Sequence, residues 1–286
     1  MKDIPNCQTI LFEIKNDDYN HLGEQRYCIE NADGQRMFLR VSDKKAYDRK
    51  KIEHEMMERV YNLGVPTAKP VDFGFFDGGK SVYSLTSWID GDAMDKTIPF
   101  LTETEQYAIG FKAGKYLRLI HSISALNKTP EDWEIEFNNE IDWKVREYFK
   151  LNYHFMYEKH IPDYLEKNRD LLKNRPQCFL HYDYTLRNII LVDKTEPYII
   201  DYADYDFGDP WRDFTFTTWT TDYPHYLTGT LNGYFNHSIP EAFFPTLLLY
   251  DCIDGVDENT IKTVTVKYHD YINNPVPKWY LSHYTN

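Results

Sequence analysis

The sequence has no uninterrupted apolar run near the roughly 18 residues that a membrane-spanning helix needs, so no membrane partner is expected. Its opening, Met1-Lys2-Asp3-Ile4-Pro5-Asn6, lacks the basic-then-apolar order of a secretory leader. Only four cysteines occur in 286 residues (Cys7, Cys28, Cys178 and Cys252), and no two form a CxxC pair. That scarcity argues against a disulfide framework and fits buried thiols in a reducing cytoplasm. The ten histidines are dispersed without metal-ligand spacing, and no repeat, low-complexity tract or Pro- or Gly-rich linker is present. Basic residues are also few: 32 Lys and Arg stand against 45 Asp and Glu. Such a field disfavours nucleic acid and anionic membranes and would attract a cationic partner.

What the chain does have is apolar and aromatic material, 42% and 16% of its residues, enough for a sizeable core. Its first ninety residues alternate strand patterns with one helix. Gln25 to Glu30 and Met37 to Val41 flank the turn signal Asn31-Ala32-Asp33-Gly34, which predicts a hairpin. Lys44 to Leu63 carries Ile52, Met56 and Val60 at four-residue spacing and stops at Gly64, predicting a helix. Val71 to Phe75 and Ser81 to Thr86 flank Asp77-Gly78-Gly79, a second hairpin. From Asp90-Gly91 onward the pattern turns mostly helical, as in the stripe Ala113, Tyr116, Leu117 and Ile120. Further helices are expected near 133–149, 153–172, 241–249 and 260–271. The expected class is α+β, an N-terminal lobe over 1–89 built on a small antiparallel sheet and a mostly helical C-terminal lobe over 90–286.

Two motifs mislead. Gly74-Phe75-Phe76-Asp77-Gly78-Gly79-Lys80-Ser81 satisfies the phosphate-loop pattern GxxxxGK[ST] letter for letter. That loop works by feeding a helix whose first N–H groups hold phosphate, whereas Ser81 here opens a strand pattern. Asp-Phe-Gly occurs twice, at 72–74 and 206–208, and neither triplet holds the Asp expected to bind metal.

The informative segment is His181-Tyr182-Asp183-Tyr184-Thr185-Leu186-Arg187-Asn188, followed by the apolar strand Ile189-Ile190-Leu191. After a turn, Tyr198-Ile199-Ile200 ends in Asp201. Phosphoryl transfer depends on positioning and charge neutralisation: one carboxylate orients the attacking hydroxyl, and a few hard oxygens hold Mg²⁺ against the phosphates. A hairpin that brings Asp183, Asn188 and Asp201 to one end supplies those groups.

His-x-Asp-x-x-x-x-Asn, an apolar strand ending in Asp, and then Gly208-Asp209-Pro210-x-x-Asp213-Phe214 together resemble the aminoglycoside phosphotransferase family, a branch of the protein-kinase-like fold. The resemblance implies a two-lobed kinase that uses ATP or GTP with Mg²⁺. It makes Asp183 the catalytic base, Asn188 and Asp201 the magnesium ligands, and Gly208-Asp209-Pro210 a brace for the loop. It places Arg40 where the family has a phosphate-reaching Lys, with Glu53 as its helix partner. Lys44 and Lys45 lie beyond the strand and are poorer substitutes. Ser87 and Ile89 fall in the segment between the lobes, whose backbone would meet the purine, and the loop Asp17 to Gly23 falls where relatives cover the nucleotide. His181 and Asp213 are read as buried hydrogen-bonding residues. Tyr182 departs from the family's frequent Gly, and whether it narrows the site or packs stays open.

The resemblance leaves the acceptor open. A cationic antibiotic of the aminoglycoside kind would need carboxylates, and candidates lie in 131–142 and 251–258. A metabolic kinase for choline, a sugar or an amino-alcohol would share every catalytic residue. An inactive nucleotide-binding module is disfavoured because Asp183, Asn188 and Asp201 are all present. Oligomeric state leaves no trace in the sequence.

Overall fold

The computed structural model describes residues 4–15, 24–150, 160–215, 222–254, 270, 274 and 276–281, with the side chains of 149 and 150 left aside. The expected loop 17–23 and helix 260–271 fall outside these residues but for position 270, as does the first part of the helix expected over 153–172. In chain order the strands are β1 (Thr9–Glu13), β2 (Gln25–Glu30), β3 (Arg36–Asp43), β4 (Pro70–Phe76), β5 (Ser81–Ser87), β6 (Asp92–Ala93), β7 (Cys178–Leu180), β8 (Ile189–Val192), β9 (Glu196–Ile199) and β10 (Asp206–Gly208). The helices are α1 (Tyr47–Asn62), α2 (Met94–Thr97), α3 (Glu103–Ile120), α4 (Pro130–Lys150), α5 (His160–Lys167), α6 (Pro224–Phe235) and α7 (Phe243–Asp254). They cluster into two compact units, one of 1–97 with 186–204, the other of 98–185 with 205–286.

In the first unit β1-β2-β3-β5-β4 form one antiparallel sheet. The period of two sends Tyr27, Ile29, Met37, Leu39, Val41, Tyr83 and Leu85 into one buried cluster. It sends Arg26 and Arg40, paired directly in the β2–β3 register, to the opposite face. Helix α1 ends as expected, with Gly64 in the left-handed region and its N–H donating to the Tyr61 carbonyl. Its start is tighter than expected. Residues 44–46 form a 3₁₀ turn capped by Asp43, whose side chain accepts from the Lys45 N–H at 2.8 Å, and Lys44 and Lys45 are exposed. Gly74 lies within β4 and Ser81 opens β5, so the phosphate-loop lookalike is a strand–turn–strand hairpin. A second small sheet, β6-β8-β9, completes the unit.

In the second unit α3 and α6 pack backbone against backbone. A Cβ built on Gly114 would sit 1.9 Å from the Thr230 carbonyl oxygen, and one on Gly233 would sit 2.0 Å from that of Phe111. Helix α6 was not expected from its sequence: two glycines and two threonines give it poor intrinsic propensity, and the close contact with α3 outweighs that preference. The two- and three-residue strands β6, β7 and β10 were also missed, being too short to show a period. Asp206-Phe207-Gly208 is β10, hydrogen-bonded to β7.

The glycine contact yields a stability prediction. Gly114→Ala forces a methyl group against backbone that no side-chain rotation can clear, at a cost of about 2 kcal/mol or more. Thermal denaturation should show a clear fall in Tm for Gly114→Ala and Gly233→Ala, and none for Gly34→Asn, where nothing lies within 4 Å and the turn conformation suits Asn.

Candidate active site

The first unit holds a closed, largely buried ring of charge. Arg40 on β3 forks between Glu53 on α1 and Asp201, donating from Nη2 to Glu53 Oε1 and from Nη1 to Asp201 Oδ1 at 3.2 Å. The other Asp201 oxygen, Oδ2, lies 3.4 Å from Arg26 Nη1. Arg26 Nε donates to Glu24 Oε1 at 2.9 Å. Glu24 Oε2 then faces Lys50 Nζ at 2.5 Å, and Lys50 returns to Glu53 Oε2 at 2.9 Å. Three cations and three carboxylates thus alternate around the circuit.

Burial disfavours the charged guanidinium of Arg40, but the carboxylates of Glu53, Glu24 and Asp201 outweigh it and hold its pKa above the ordinary value. Burial likewise pushes the Glu24 carboxyl up, yet Arg40, Lys50 and Arg26 bring it down to about 2.

The expected pair Arg40 and Glu53 is therefore in contact. Lys50, Arg26 and Glu24 were not singled out from the sequence. Their signals were present but faint. Lys50 lies one helical turn before Glu53 on the same face. Arg26 faces Arg40 once the turn at Asn31 to Gly34 sets the hairpin register.

Beside the ring lies a cavity of about 190 Å³ whose wall includes Phe38, Met57, Ala68, Ile190 and Ile200, with Arg26, Arg40 and Asp201 on its polar side. Ser87, Trp88 and Ile89 also line it. Ser87 is fixed by two bonds to Lys69, its N–H donating to the carbonyl at 2.8 Å and its Oγ accepting from the N–H at 2.9 Å. The Trp88 N–H donates to the Arg36 carbonyl at 3.3 Å. Asn188 stands at the mouth of the β8–β9 hairpin, its carbonyl accepting from the Ile200 N–H at 3.0 Å, next to Asp201. Asp201 holds a left-handed backbone with φ of 61°.

Among the described residues no cluster of three or more His, Cys, Asp or Glu is placed to hold a metal ion. Mg²⁺ in phosphate sites takes only one or two protein oxygens beside phosphate and water. The Asp201 carboxylate lines the cavity beside two guanidinium groups, and Asn188 stands at the same end of the hairpin; a carboxylate and a carboxamide fit that ion in donor chemistry.

Asp183 belongs to the second unit, on a loop held by a buried carboxylate. Asp213 accepts from the His181 N–H at 2.8 Å through Oδ2 and from the Tyr182 N–H at 2.7 Å through Oδ1, and His121 Nε2 lies 2.9 Å from Oδ2. His181 and Asp213 are both fully buried, in keeping with the hydrogen-bonding role expected of them. Asp213 is itself placed by a 3₁₀ turn over 210–214 that Asp209 caps, accepting from the Trp211 N–H at 2.9 Å. Arg175 engages both Asp209 oxygens, and the Tyr250 hydroxyl donates to Oδ2 at 2.6 Å.

Tyr182 has φ of 65°, a backbone conformation that glycine adopts freely and tyrosine does not. Its hydroxyl accepts from Arg212 Nη2 at 3.1 Å, so the tyrosine packs against a buried guanidinium. Arg212 also pairs with Asp254 at 2.9 Å. Tyr184 ties the far side of the loop to α3, donating to the Ala113 carbonyl at 2.8 Å.

Several acidic residues weighed as substrate contacts already serve the chain. Glu136 pairs with Lys128 at 2.7 Å and Asp142 with Arg169 at 2.6 Å, while Asp132 accepts from Thr129 at the start of α4. Glu140 is half-buried, and that burial raises its carboxyl despite nearby Lys144. Asp257 and Glu258 lie outside the described residues.

Residues 22–243 match the model described as the phosphotransferase enzyme family (APH), and the chain belongs to that family. It shares its fold with solved structures of low identity. An ADP-bound aminoglycoside phosphotransferase APH(2'')-Ib aligns at 15% identity and TM-score 0.58, covering 92% of each chain. The amicoumacin kinase hAmiN, complexed with AMP-PNP, Ca²⁺ and its ligand, aligns at 12% identity and TM-score 0.59, over 95% of this chain and 91% of the other. A GDP complex of an aminoglycoside 2'-phosphotransferase aligns at 11% identity and TM-score 0.60, over 93% of both. The fold is protein-kinase-like, with a small antiparallel-sheet N-terminal lobe and a mostly helical C-terminal lobe. No curated protein matches the sequence.

The depressed Glu24 pKa predicts an acid response. Its stabilising contribution is complete above its ordinary 4.5 and is lost as pH falls toward about 2. Glu24→Gln should be less stable than wild type at pH 7, because it strands buried cations, and should lose less further stability between pH 4.5 and 2.5. Urea unfolding at the three pH values measures both differences.

Proposed function

We propose that the chain is a nucleotide-dependent phosphotransferase that moves the terminal phosphate of ATP or GTP to a hydroxyl of a small molecule. The observation that carries the proposal is Arg40 forked between Glu53 and Asp201 at the edge of an apolar cavity. A lone strand Arg with a helix Glu would be ordinary. The same guanidinium beside the acid that follows β9 puts a fixed positive charge next to the carboxylate read as a metal ligand, where donor phosphates would lie in a kinase-like site.

In this reading Asp183 orients the acceptor hydroxyl and takes its proton as the new bond to phosphorus forms. Arg40, positioned by Glu53, grips the donor phosphates. Ser87 offers its backbone carbonyl, and Ile89 its N–H, to the base. Asn188 and Asp201 would hold Mg²⁺, which neutralises charge on the phosphates when bound. The rigid seating of the 181–185 loop on Asp213 supports a role that depends on fixed geometry.

For the acceptor, an aminoglycoside-like antibiotic comes first, on the net charge of −13 and the family. A metabolic small-molecule kinase, acting on choline, a sugar or an amino-alcohol, is the second reading. It is favoured by the internal pairing of Glu136, Asp142 and Asp254, which leaves fewer carboxylates for a polyamine.

A coupled nucleotide-consumption assay with Mg²⁺, using ATP and GTP against aminoglycosides, macrolides, choline-like alcohols and sugars, tests the proposal. Turnover with one class selects the acceptor. Nucleotide binding without turnover on any would support an inactive module instead. Asp183→Ala should lower transfer about 100-fold or more while nucleotide affinity holds. Asn188→Ala and Asp201→Ala should weaken Mg²⁺-dependent nucleotide binding. Arg40→Ala should raise the nucleotide concentration needed, and the same effect from Lys44→Ala instead would count against Arg40.

A further inference from the structure

We infer that Arg26, on β2, is a second phosphate-binding residue for the donor nucleotide, acting beside Arg40. The inference rests on the nucleotide-dependent reading above and extends it to a residue outside the family's motif set.

Arg26 stands directly opposite Arg40 across the β2–β3 ladder, so the two guanidinium groups share one face of the sheet. Two like charges in such a pair repel and persist only where carboxylates neutralise them. Here that task falls to Glu24, Glu53 and Asp201. The three cations of the ring differ in access. Lys50 and Arg40 are 3% and 5% exposed, and both are committed to Glu53, whereas Arg26 is 23% exposed and lines the cavity. Arg26 is therefore the cation through which the ring reaches solvent.

Its commitments are also the weakest. Nε is bound to Glu24 at 2.9 Å, but the approach of Nη1 to Asp201 is 3.4 Å, longer than the 3.2 Å bond from Arg40 to the same carboxylate. If Asp201 turns its oxygens to a metal ion, Arg26 keeps only Glu24, which Lys50 also holds at 2.5 Å. The ring then carries one surplus positive charge, facing the cavity at Arg26. A guanidinium has five N–H donors in a planar fork, suited to two oxygens of one phosphate group. If Arg26 served only to clamp Asp201, its loss would weaken triphosphate binding with Mg²⁺ and leave it unchanged with EDTA.

Titration calorimetry separates these cases. Adenosine, guanosine and their mono-, di- and triphosphates are titrated into wild type, R26Q and R26K, with EDTA and then with Mg²⁺. The expected result for R26Q is a loss of roughly tenfold or more in triphosphate affinity with Mg²⁺ and a smaller but clear loss with EDTA, with nucleoside affinity unchanged. R26K, which keeps the charge without the fork, should lose less. Melting without ligand reports whether each variant is folded, and R26K carries the comparison if R26Q is not. Triphosphate affinity equal to wild type in the folded variants overturns the inference, as does a loss seen only with Mg²⁺ or an equal loss of nucleoside and triphosphate. If wild type itself binds neither triphosphate, the nucleotide-dependent reading falls as well. Wild-type binding with no effect at position 26 removes Arg26 alone.

Discussion

A charge taken out of water survives only beside its opposite, and that constraint organises both units of this protein. In the first unit it turns six side chains from β2 and the residue before it, β3, α1 and the hairpin end into one circuit. No member can relax without stranding another. In the second unit, Asp209 and Asp213 are fully buried and find their partners in Arg175, Tyr250, His121 and three backbone N–H groups. The energetic value of such pairs against apolar replacements is small. Their value in geometry is large, because a half-broken pair costs several kcal/mol and each partner is thereby confined to one position.

The second unit passes this confinement along the chain. Arg175 sets Asp209, Asp209 caps the turn that carries Asp213, and Asp213 holds the backbone N–H groups of His181 and of the left-handed Tyr182. Tyr184 anchors the same loop to α3, which is fixed to α6 by contact of glycine with backbone. A tyrosine at a glycine-like φ is strained, and strain of this kind lasts only where surrounding bonds over-determine it. Arg212 and Asp213 supply those bonds, so Tyr182 packs there although the family more often has Gly.

Much of this was legible from the residues. The hairpin turns at Asn31 to Gly34 and Asp77 to Gly79, the helix stopping at Gly64, and the 181–201 segment each carry local signals that nothing distant overrides. The pairing of Arg40 with Glu53 followed from resemblance and is present in the structure. Lys50, Glu24 and Arg26 escaped because their meaning depends on hairpin register and on which face of α1 meets the sheet. Neither is printed in any short window of sequence. Lys50 in particular reads as one more surface lysine in Arg49-Lys50-Lys51 until α1 turns it inward. Helix α6 escaped for the opposite reason: its glycines read as breakers in isolation and serve as contact points in the fold. The roles assigned to Asp183, Asn188, Asp201, Ser87 and Ile89 rest on resemblance and await the assays above.

The closed ring also governs how this sequence can drift. A position outside such a circuit can change singly, and selection sees one small effect. A change of charge at 24, 26, 40, 50, 53 or 201 leaves an unmatched charge among its neighbours, so such variants should arrive as compensated pairs. Descent through the family would then show these six positions changing charge in concert, whereas Arg40 in place of the family's Lys keeps the charge and alters only the geometry of the fork.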